Sequence, residues 1–334
     1  MHVLITGHTG FKGAWASALL SSLGHQVSGI SLTPEQGGAF DSAALADIFV
    51  EHSICDIREQ DAVATLIARI NPDAVIHMAA QPLVIEGYRD PATTMATNVI
   101  GTLNVLEACK LATNVKAVLT VTTDKVYRDD GVGNYSEGDA LGGHDPYSAS
   151  KSMADLLAQT YGNLGLPFKI GVARAGNVIG LGDVSANRLL PDITRSFLNG
   201  ELLTIRQPNA VRPWQHVLDC VNGYVLFLNH LLSDFAKSSS TQILNFGPEP
   251  SSYKTVEEVV DMAREILGNL PIEVVPATVK ETQFLTLNSR KAREILNWND
   301  KLDFERAVRW SLEALDKGLD RSLLESQVNR FLAL

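Results

Sequence analysis

Two short stretches hold the residue types that could do chemistry: Thr122-Thr123-Asp124-Lys125 and Tyr147-Ser148-Ala149-Ser150-Lys151. A tyrosine and a lysine at i and i+4 share one face of a helix. An ammonium beside a phenol can lower the phenol's pKa, and it can hold a ribose. Such a pair makes Tyr147 a base for a sugar or alcohol hydroxyl. Asp124-Lys125 adds a second acid/base pair, which simple alcohol oxidation does not require. The two sets together imply oxidation of a substrate and then a further step on it.

Those side chains need a frame, and the N-terminal half supplies an alternation of strands and helices. Strands are predicted at Val3–Thr6, Gln26–Ser31, His52–Cys55, Ala74–Met78, Lys116–Thr122 and Phe168–Ala173. Helices are predicted at Gly13–Leu23, Asp61–Ile70 and Asn98–Ala112. This alternation implies an α/β fold, a Rossmann-like doubly wound parallel sheet with helices on both faces. Beyond it the pattern breaks. Arg188–Leu198, Val217–Leu232, Thr255–Leu267, Asp303–Leu315 and Ser322–Leu332 read as helices; Leu202–Arg206, Ile243–Phe246 and Ile272–Val275 read as extended. We expect a dinucleotide-binding domain over residues 1–175 and a smaller, mainly substrate-binding domain over 176–334, with the chain returning to the first within 213–246. Lys237-Ser238-Ser239-Ser240 is the one low-complexity spot and is expected to be a mobile loop.

Composition narrows the class. The 334 residues are 45% hydrophobic and 20% charged, with a net charge of −10. That balance suits a soluble enzyme and argues against a nucleic-acid binder. Cys55, Cys109 and Cys220 lack metal-ligand spacing and are expected to be free thiols in a reducing cytosol. We expect no metal. No apolar run approaches the ~20 residues of a membrane span. Met1-His2-Val3-Leu4-Ile5 runs straight into a glycine loop and reads as a first strand, not a signal peptide.

Gly7-His8-Thr9-Gly10-Phe11-Lys12-Gly13 joins the first strand to the first helix. The glycines permit a tight turn, and the helix N-terminus offers free N–H groups to a pyrophosphate. The second strand ends in Ser31-Leu32-Thr33-Pro34, with neither the acid that receives a ribose 2′-hydroxyl nor an arginine for a 2′-phosphate. The missing arginine favours NAD. Asp56, after the third strand, is placed to accept from an adenine amino group; the alternative is a turn carboxylate.

With Asn98-Val99-Ile100-Gly101-Thr102 and the Tyr147/Lys151 pair, this loop resembles the extended branch of the short-chain dehydrogenase/reductase superfamily. A narrower resemblance, to the CDP-glucose 4,6-dehydratases, runs over most of the chain in the family's order. It rests on the loop through Ala14-Trp15, Met78-Ala79-Ala80-Gln81-Pro82-Leu83-Val84, Thr122-Thr123-Asp124-Lys125-Val126-Tyr127 and Leu141-Gly142-Gly143-His144-Asp145-Pro146-Tyr147-Ser148. Ala173-Arg174-Ala175-Gly176-Asn177-Val178-Ile179-Gly180 and Arg206-Gln207-Pro208-Asn209-Ala210-Val211-Arg212-Pro213-Trp214-Gln215-His216 continue it. Dehydratases of other nucleotide sugars mostly resemble a Thr-Asp-Glu pattern where this chain has Lys125. Two segments depart from the family: Arg128–Ala140 is shorter and more polar, and 181–187 lacks an anticipated second glycine and tryptophan.

The resemblance implies that Tyr147 takes the proton of a sugar 4-hydroxyl, Lys151 favours the phenolate and anchors the nicotinamide ribose, and Thr123 orients the 4-oxygen. It implies Lys125 as the base at C5 and Asp124 as the acid for the departing C6 hydroxyl; a plain Asp124–Lys125 ion pair is the alternative. The implied cofactor contacts are Gly7, Thr9, Gly10, Phe11, Lys12, Gly13, Asp56, Ile57, Ala79, Ala80, Gln81, Asn98, Tyr147 and Lys151. Gln81, Asn177, Arg188, Arg206 and Arg212 are the substrate candidates, because guanidinium matches phosphate geometry. Surface or capping roles compete for each arginine, and an Asx-turn for Asn177. His144 reads as loop-stabilising and His77 as core. Trp214 and His216 either flank a base or pack. Ala154, Leu157 and Tyr161 are core or a dimer face. The implied product is a 4-keto-6-deoxy sugar nucleotide, made in the cytoplasm by a homodimer or homotetramer. A nucleotide-sugar 4-epimerase is the first rival and needs no elimination pair. A dinucleotide-sensing scaffold is the second, and the intact Tyr/Lys pair argues against it.

Overall fold

A computed structural model describes residues 1–129, 131, 133–233, 241–276 and 284–334; the Lys237–Ser240 stretch lies outside these. The chain begins β1 (His2–Thr6), α1 (Phe11–Ser22), β2 (Gln26–Ser31), α2 (Ala39–Ser42), β3 (Phe49–Ile54), α3 (Gln60–Ile70) and β4 (Ala74–His77). It continues through α4 (Val84–Arg89), α5 (Pro91–Met95), a π turn at Ala96–Ile100, α6 (Gly101–Leu111) and β5 (Ala117–Thr123). A 3-10 turn at Asp124–Val126 leads to β6 (Asn134–Tyr135), α7 (Pro146–Gly162), β7 (Lys169–Ala175) and β8 (Val178–Ile179). Then follow α8 (Leu189–Asn199), β9 (Leu203–Ile205), β10 (Val211–Pro213), β11 (Gln215–His216), α9 (Val217–Leu232), β12 (Gln242–Phe246) and β13 (Tyr253–Thr255). α10 (Val256–Leu267), β14 (Ile272–Val274), β15 (Thr286–Leu287), α11 (Arg290–Leu296), α12 (Phe304–Ser311) and α13 (Arg321–Ala333) complete it.

Seven strands form one parallel sheet in the order β3-β2-β1-β4-β5-β7-β12. This is the doubly wound α/β fold. β5 is buried along its whole length, as a strand covered on both faces must be. Apolar side chains of α1 and α9 cover one face, together with α8, α10, α12 and α13. α3, α6 and α7 cover the other. The strand order reverses between β1 and β4, and ligands of such sheets bind there, beyond the carboxyl ends. The end strand β12 comes from the C-terminal half and pairs in parallel with β7.

Three boundaries differ from the sequence reading. β3 starts at Phe49, because it pairs with β2 through a register shift between Val27 and Ser28. α12 stops at Ser311, and Ala314 beyond it turns left-handed at φ 53°. Asn98–Ala112 is not a uniform helix, since its first residues lie in the π turn. Such turns put one residue out of step, often where a side chain is needed for another purpose.

Candidate active site

Thr123 is the last residue of β5 and the N-cap of the 3-10 turn that carries Asp124 and Lys125. The buried Thr123 hydroxyl donates to Asp124 Oδ1 at 2.9 Å. Asp124 Oδ2 is buried and has no hydrogen-bond partner among the described residues. It points at Gly176, where a Cβ would sit 3.1 Å from that oxygen and 3.0 Å from Pro213 Cγ. Glycine is therefore what gives the carboxyl its space. Burial raises the pKa of Asp124, opposed by Lys125, Thr123 and Arg212. Among the described residues no Asp124–Lys125 ion pair within 4.0 Å is present; Lys125 is half-buried and acts on Asp124 through its charge.

α7 starts where the sequence Asp145-Pro146 starts it. Asp145 caps the helix by accepting from Ser148 N at 3.0 Å, and Pro146 occupies the first turn. Tyr147 and Lys151 follow one turn apart, both buried. α4 docks against them so closely that a Cβ at Gly87 would lie 3.0 Å from Tyr147 N. Lys151 is not among the groups that act most on the Tyr147 phenol. Burial pushes Tyr147 up to about 12, and the group that chiefly opposes this is the Thr123 hydroxyl, through a hydrogen bond, with Arg188 next. Lys151 instead donates to the Val121 carbonyl at 2.8 Å, and burial with the nearby Lys12 charge lowers its own pKa to about 8. Tyr147, Thr123 and Asp124 thus gather at the end of β5, with Thr123 hydrogen-bonded to Asp124.

Beneath the row lies an ion pair that local spacing did not disclose. Arg174 of β7 and Asp155 of α7 meet through two bonds of 2.8 Å, both fully buried. Thr122 donates to Asp155 at 2.9 Å, Arg174 donates to Tyr127 Oη at 2.9 Å, and Tyr127 donates to Asn245 at 2.6 Å. The network fastens α7 to β5, β7 and β12. Tyr224 of α9 was also unforeseen: its buried hydroxyl lies beside Cys220, and Lys12 Nζ lies 5.8 Å from its ring centroid. No motif marks it, since it reads as one more apolar residue of a helix.

The glycine loop forms a cradle suited to a dinucleotide. Gly7 is left-handed at φ 80°, and a Cβ there would come 2.7 Å from Ala79 N; one at Gly13 would come 2.0 Å from the Gly7 carbonyl. α1 begins without a side-chain cap and has no acidic residue in its first turn, so its N–H groups are free for an anion. Thr9 Oγ1 bonds Ser31 Oγ at 2.7 Å and donates to the Leu32 carbonyl at 2.9 Å, tying the loop to β2. Phe11 and Lys12 are half-buried in that first turn, and displaced water lowers the pKa of Lys12. The donors and the space fit a pyrophosphate.

The other candidates divide between this cleft and its scaffold. Ala79 and Ala80 follow β4 at the carboxyl edge. Gln81 is there too, but its amide is used locally, donating to Leu83 O at 3.1 Å and Thr94 Oγ1 at 2.8 Å. Asn98, in the π turn, accepts from Gln81 N at 2.8 Å and donates to Ser150 Oγ at 2.8 Å, linking the β4 loop to α7. Asp56 closes a turn on Arg58 at 2.6 Å, and Ile57 is core. Arg188 pairs with Asp183 at 3.0 Å. Arg212 is buried beside Asp124. Arg206 is exposed and donates to Asn187 at 2.8 Å. Asn177 is half-buried just past β7. His144 is exposed in the loop before α7. Trp214 and His216 are packed, the first donating to Lys254 O at 2.9 Å and the second capping α9. His77 is core, held between Thr6 at 2.7 Å and Thr102 at 2.9 Å. Ala154 and Tyr161 are buried as well. All three cysteines are free.

A comparison with known proteins agrees with this architecture. The model of the NAD dependent epimerase/dehydratase family matches residues 3–238. The chain is 40% identical over 327 residues to a CDP-glucose 4,6-dehydratase of Salmonella typhimurium, covering 92% of this chain and 89% of that protein. It is 27% identical to a UDP-glucose 4-epimerase of Halalkalibacterium halodurans over 90% of this chain and 91% of that one. Among solved structures, a dTDP-glucose 4,6-dehydratase of Bacillus anthracis in complex with NAD superposes with a TM-score of 0.79 at 24% identity, covering 95% and 97% of the two chains. The family match spans most of the chain, and the relative at 40% identity spans nearly all of it. The protein belongs to the NAD dependent epimerase/dehydratase family.

Proposed function

We propose that this protein is an NAD-dependent 4,6-dehydratase of a nucleotide hexose, with CDP-glucose as substrate and CDP-4-dehydro-6-deoxyglucose and water as products. The observation that carries this is the meeting of an oxidation pair, Tyr147 and Lys151, with an elimination pair, Asp124 and Lys125, at the end of one strand. The extensive identity to a CDP-glucose 4,6-dehydratase supports the choice of sugar nucleotide.

Bound NAD, held by the glycine loop and Lys151, would supply the hydride chemistry, an acceptor for the C4 hydrogen and later a donor at C6. Tyr147 receives the C4 hydroxyl proton while Thr123 fixes that oxygen, and Lys151 holds the ribose. The ketone at C4 acidifies C5, and Lys125 removes the C5 proton. Asp124 protonates the C6 hydroxyl as it leaves, from an oxygen that has no other partner among the described residues. Gly7, Gly10 and Gly13 and the first turn of α1 would cradle the pyrophosphate. Arg188 and Arg212, with Asn177 and Arg206, would meet the substrate phosphates.

Residues 1–175 with the returning 213–246 segment would form the cofactor domain, and the remainder the substrate domain. A homodimer, or a dimer of dimers, would cover exposed Ile85 and Tyr88 of α4 and Met153 and Leu156 of the adjacent α7. We place the enzyme in the cytoplasm; among the described residues no helix is long and apolar enough to cross a membrane.

The test is incubation with CDP-, dTDP-, UDP- and GDP-hexoses, read by the alkali-induced absorbance of 4-keto-6-deoxy sugars. CDP-glucose deuterated at C4 should give product with deuterium in its methyl group. Retention of the label at C4, or its loss to solvent, would remove the mechanism. Interconversion of 4-epimers without loss of water would favour the epimerase.

A further inference from the structure

The two catalytic pairs act in succession on one hexose, the first at C4 and the second at C5 and C6. The sugar need not move between the steps if the spacing of the two pairs is fixed, and a misplacement of about 1 Å can cost about 10²-fold in rate. The structure ties the turn that carries Asp124 and Lys125 to α7 on both sides. Ahead of the turn, Lys151 Nζ donates to the Val121 carbonyl at 2.8 Å, and Thr122 Oγ1 donates to Asp155 Oδ2 at 2.9 Å. At its far end, Ser152 Oγ reaches the Val126 carbonyl at 3.0 Å, sharing its proton with the Ser148 carbonyl at 2.9 Å. Tyr127, the next residue, is held by Arg174, which donates to its hydroxyl at 2.9 Å and to the two oxygens of Asp155 at 2.8 Å. Asp155 lies one helical turn beyond Lys151, on the same face. One guanidinium therefore spans the oxidation helix and the elimination turn. Every side chain in these ties is buried. A buried ion pair adds little net stability over apolar residues of the same volume, and its best-attested use is to fix register.

We propose that Arg174 and Ser152 are positioning residues for the elimination step: they hold the Asp124–Lys125 turn in register with α7, so that the 4-keto sugar is dehydrated in the place where it is formed. The inference rests on the dehydratase reading. Both residues act through the backbone and side chain of Val126 and Tyr127, not on the sugar. Oxidation at C4 uses Tyr147 and Lys151, which α7 itself places, and Thr123, which the fully buried strand β5 places. Elimination uses Lys125 at C5 and Asp124 at the C6 oxygen, and these follow β5 in a short turn whose far end is set by the two ties. Cutting a tie therefore leaves the first step intact and slows the second. The oxidised sugar then waits, with its C6 oxygen still in place.

The experiment is a single turnover of CDP-glucose by the NAD-loaded enzyme, quenched rapidly into borodeuteride. The label marks every 4-keto sugar. Mass spectrometry separates those that keep the C6 oxygen from the 6-deoxy product, so each step has its own rate. Tyr127→Phe removes the hydroxyl that Arg174 grips and keeps the ring, which stacks on Tyr135 with centroids 5.0 Å apart. Ser152→Ala cuts the other tie. In each variant oxidation should stay within about twofold of the parent, and elimination should slow about tenfold or more, so that undehydrated 4-keto hexose builds up. Ser152→Thr keeps the hydroxyl and should hold the parent ratio of the two rates. A parent ratio in either Tyr127→Phe or Ser152→Ala overturns the role of the tie that it cuts. Equal slowing of both steps, as a general loosening gives, overturns both roles. Loss of the cooperative urea transition in a variant makes its tie structural and overturns its role likewise. If the parent protein forms no 4-keto-6-deoxy product from any nucleotide hexose, it is the dehydratase reading that fails, and the proposal with it; parent dehydration with unchanged ratios in the variants removes the proposal alone.

Discussion

Burial pushes the Tyr147 phenol up to about 12, so the charges and donors placed beside it decide whether it acts as a base. Tyr147→Phe removes the group that receives the C4 proton while leaving the ring in place. Turnover should fall on the order of 10²–10⁴-fold, with substrate binding largely retained. Turnover near that of the parent would exclude Tyr147 as the base. Lys125→Ala tests the second half of the chemistry. Its loss should leave C4 oxidation possible and stall elimination, so borodeuteride quenching should trap a 4-keto hexose that still carries its C6 oxygen. Deoxy product should form on the order of 100-fold more slowly or less. Unchanged dehydration in this variant would leave Lys125 without a part in the reaction.

At the scale of elements, the site depends on α7 keeping its register against β5 and β7, and the Arg174–Asp155 pair is the fastening. Arg174→Met leaves Asp155 charged and uncompensated in a dry interior. We expect a loss of about 3–5 kcal/mol in a urea titration, much of it recovered in the double variant Arg174→Met/Asp155→Leu. A loss below about 1 kcal/mol in the single variant would mean that the pair contributes little to holding the sheet and helix together. This network also shows where sequence reading stops. The glycine loop, the end of β5 and the shared helix face of Tyr147 and Lys151 were legible because each is set by residues a few positions apart. Arg174 and Asp155 are separated by the end of α7, a loop and most of β7, and only the packing of that helix on the sheet brings them together. Spacing fixes that Lys151 shares a helix face with Tyr147, but the burial that acts most on the phenol comes from the elements packed against it. Likewise, Trp214 and His216 had an ambiguous pattern until α9 and the helices around it closed over them.

For the whole molecule, the imidazole of His216 links the core to pH. Burial, with Arg330 nearby, pulls its pKa down to about 3, so it is neutral in the folded protein. In the unfolded chain it takes up a proton near the ordinary value of about 6.5. Between those values the unfolded state holds one more proton, and folding stability falls as the pH falls. The contribution is about 1.4 kcal/mol per pH unit from roughly pH 6 down to 4. His216→Asn keeps an acceptor for Leu218 N at the start of α9 and removes the titration. Urea midpoints measured across that range should show a slope shallower by about this amount. Equal slopes in the two proteins would place the acid sensitivity elsewhere.

The position of β12 has a consequence for synthesis. β7 is complete at residue 175, yet its outer partner ends at residue 246. During translation the growing sheet therefore shows one open edge, a strand whose residues from Ile170 to Ala175 are all buried in the finished protein. An unpaired apolar edge invites pairing with other nascent chains. The interval between the two strands is the period in which a ribosome-bound chain most needs a chaperone, and slower elongation there should raise the yield of aggregate rather than of enzyme.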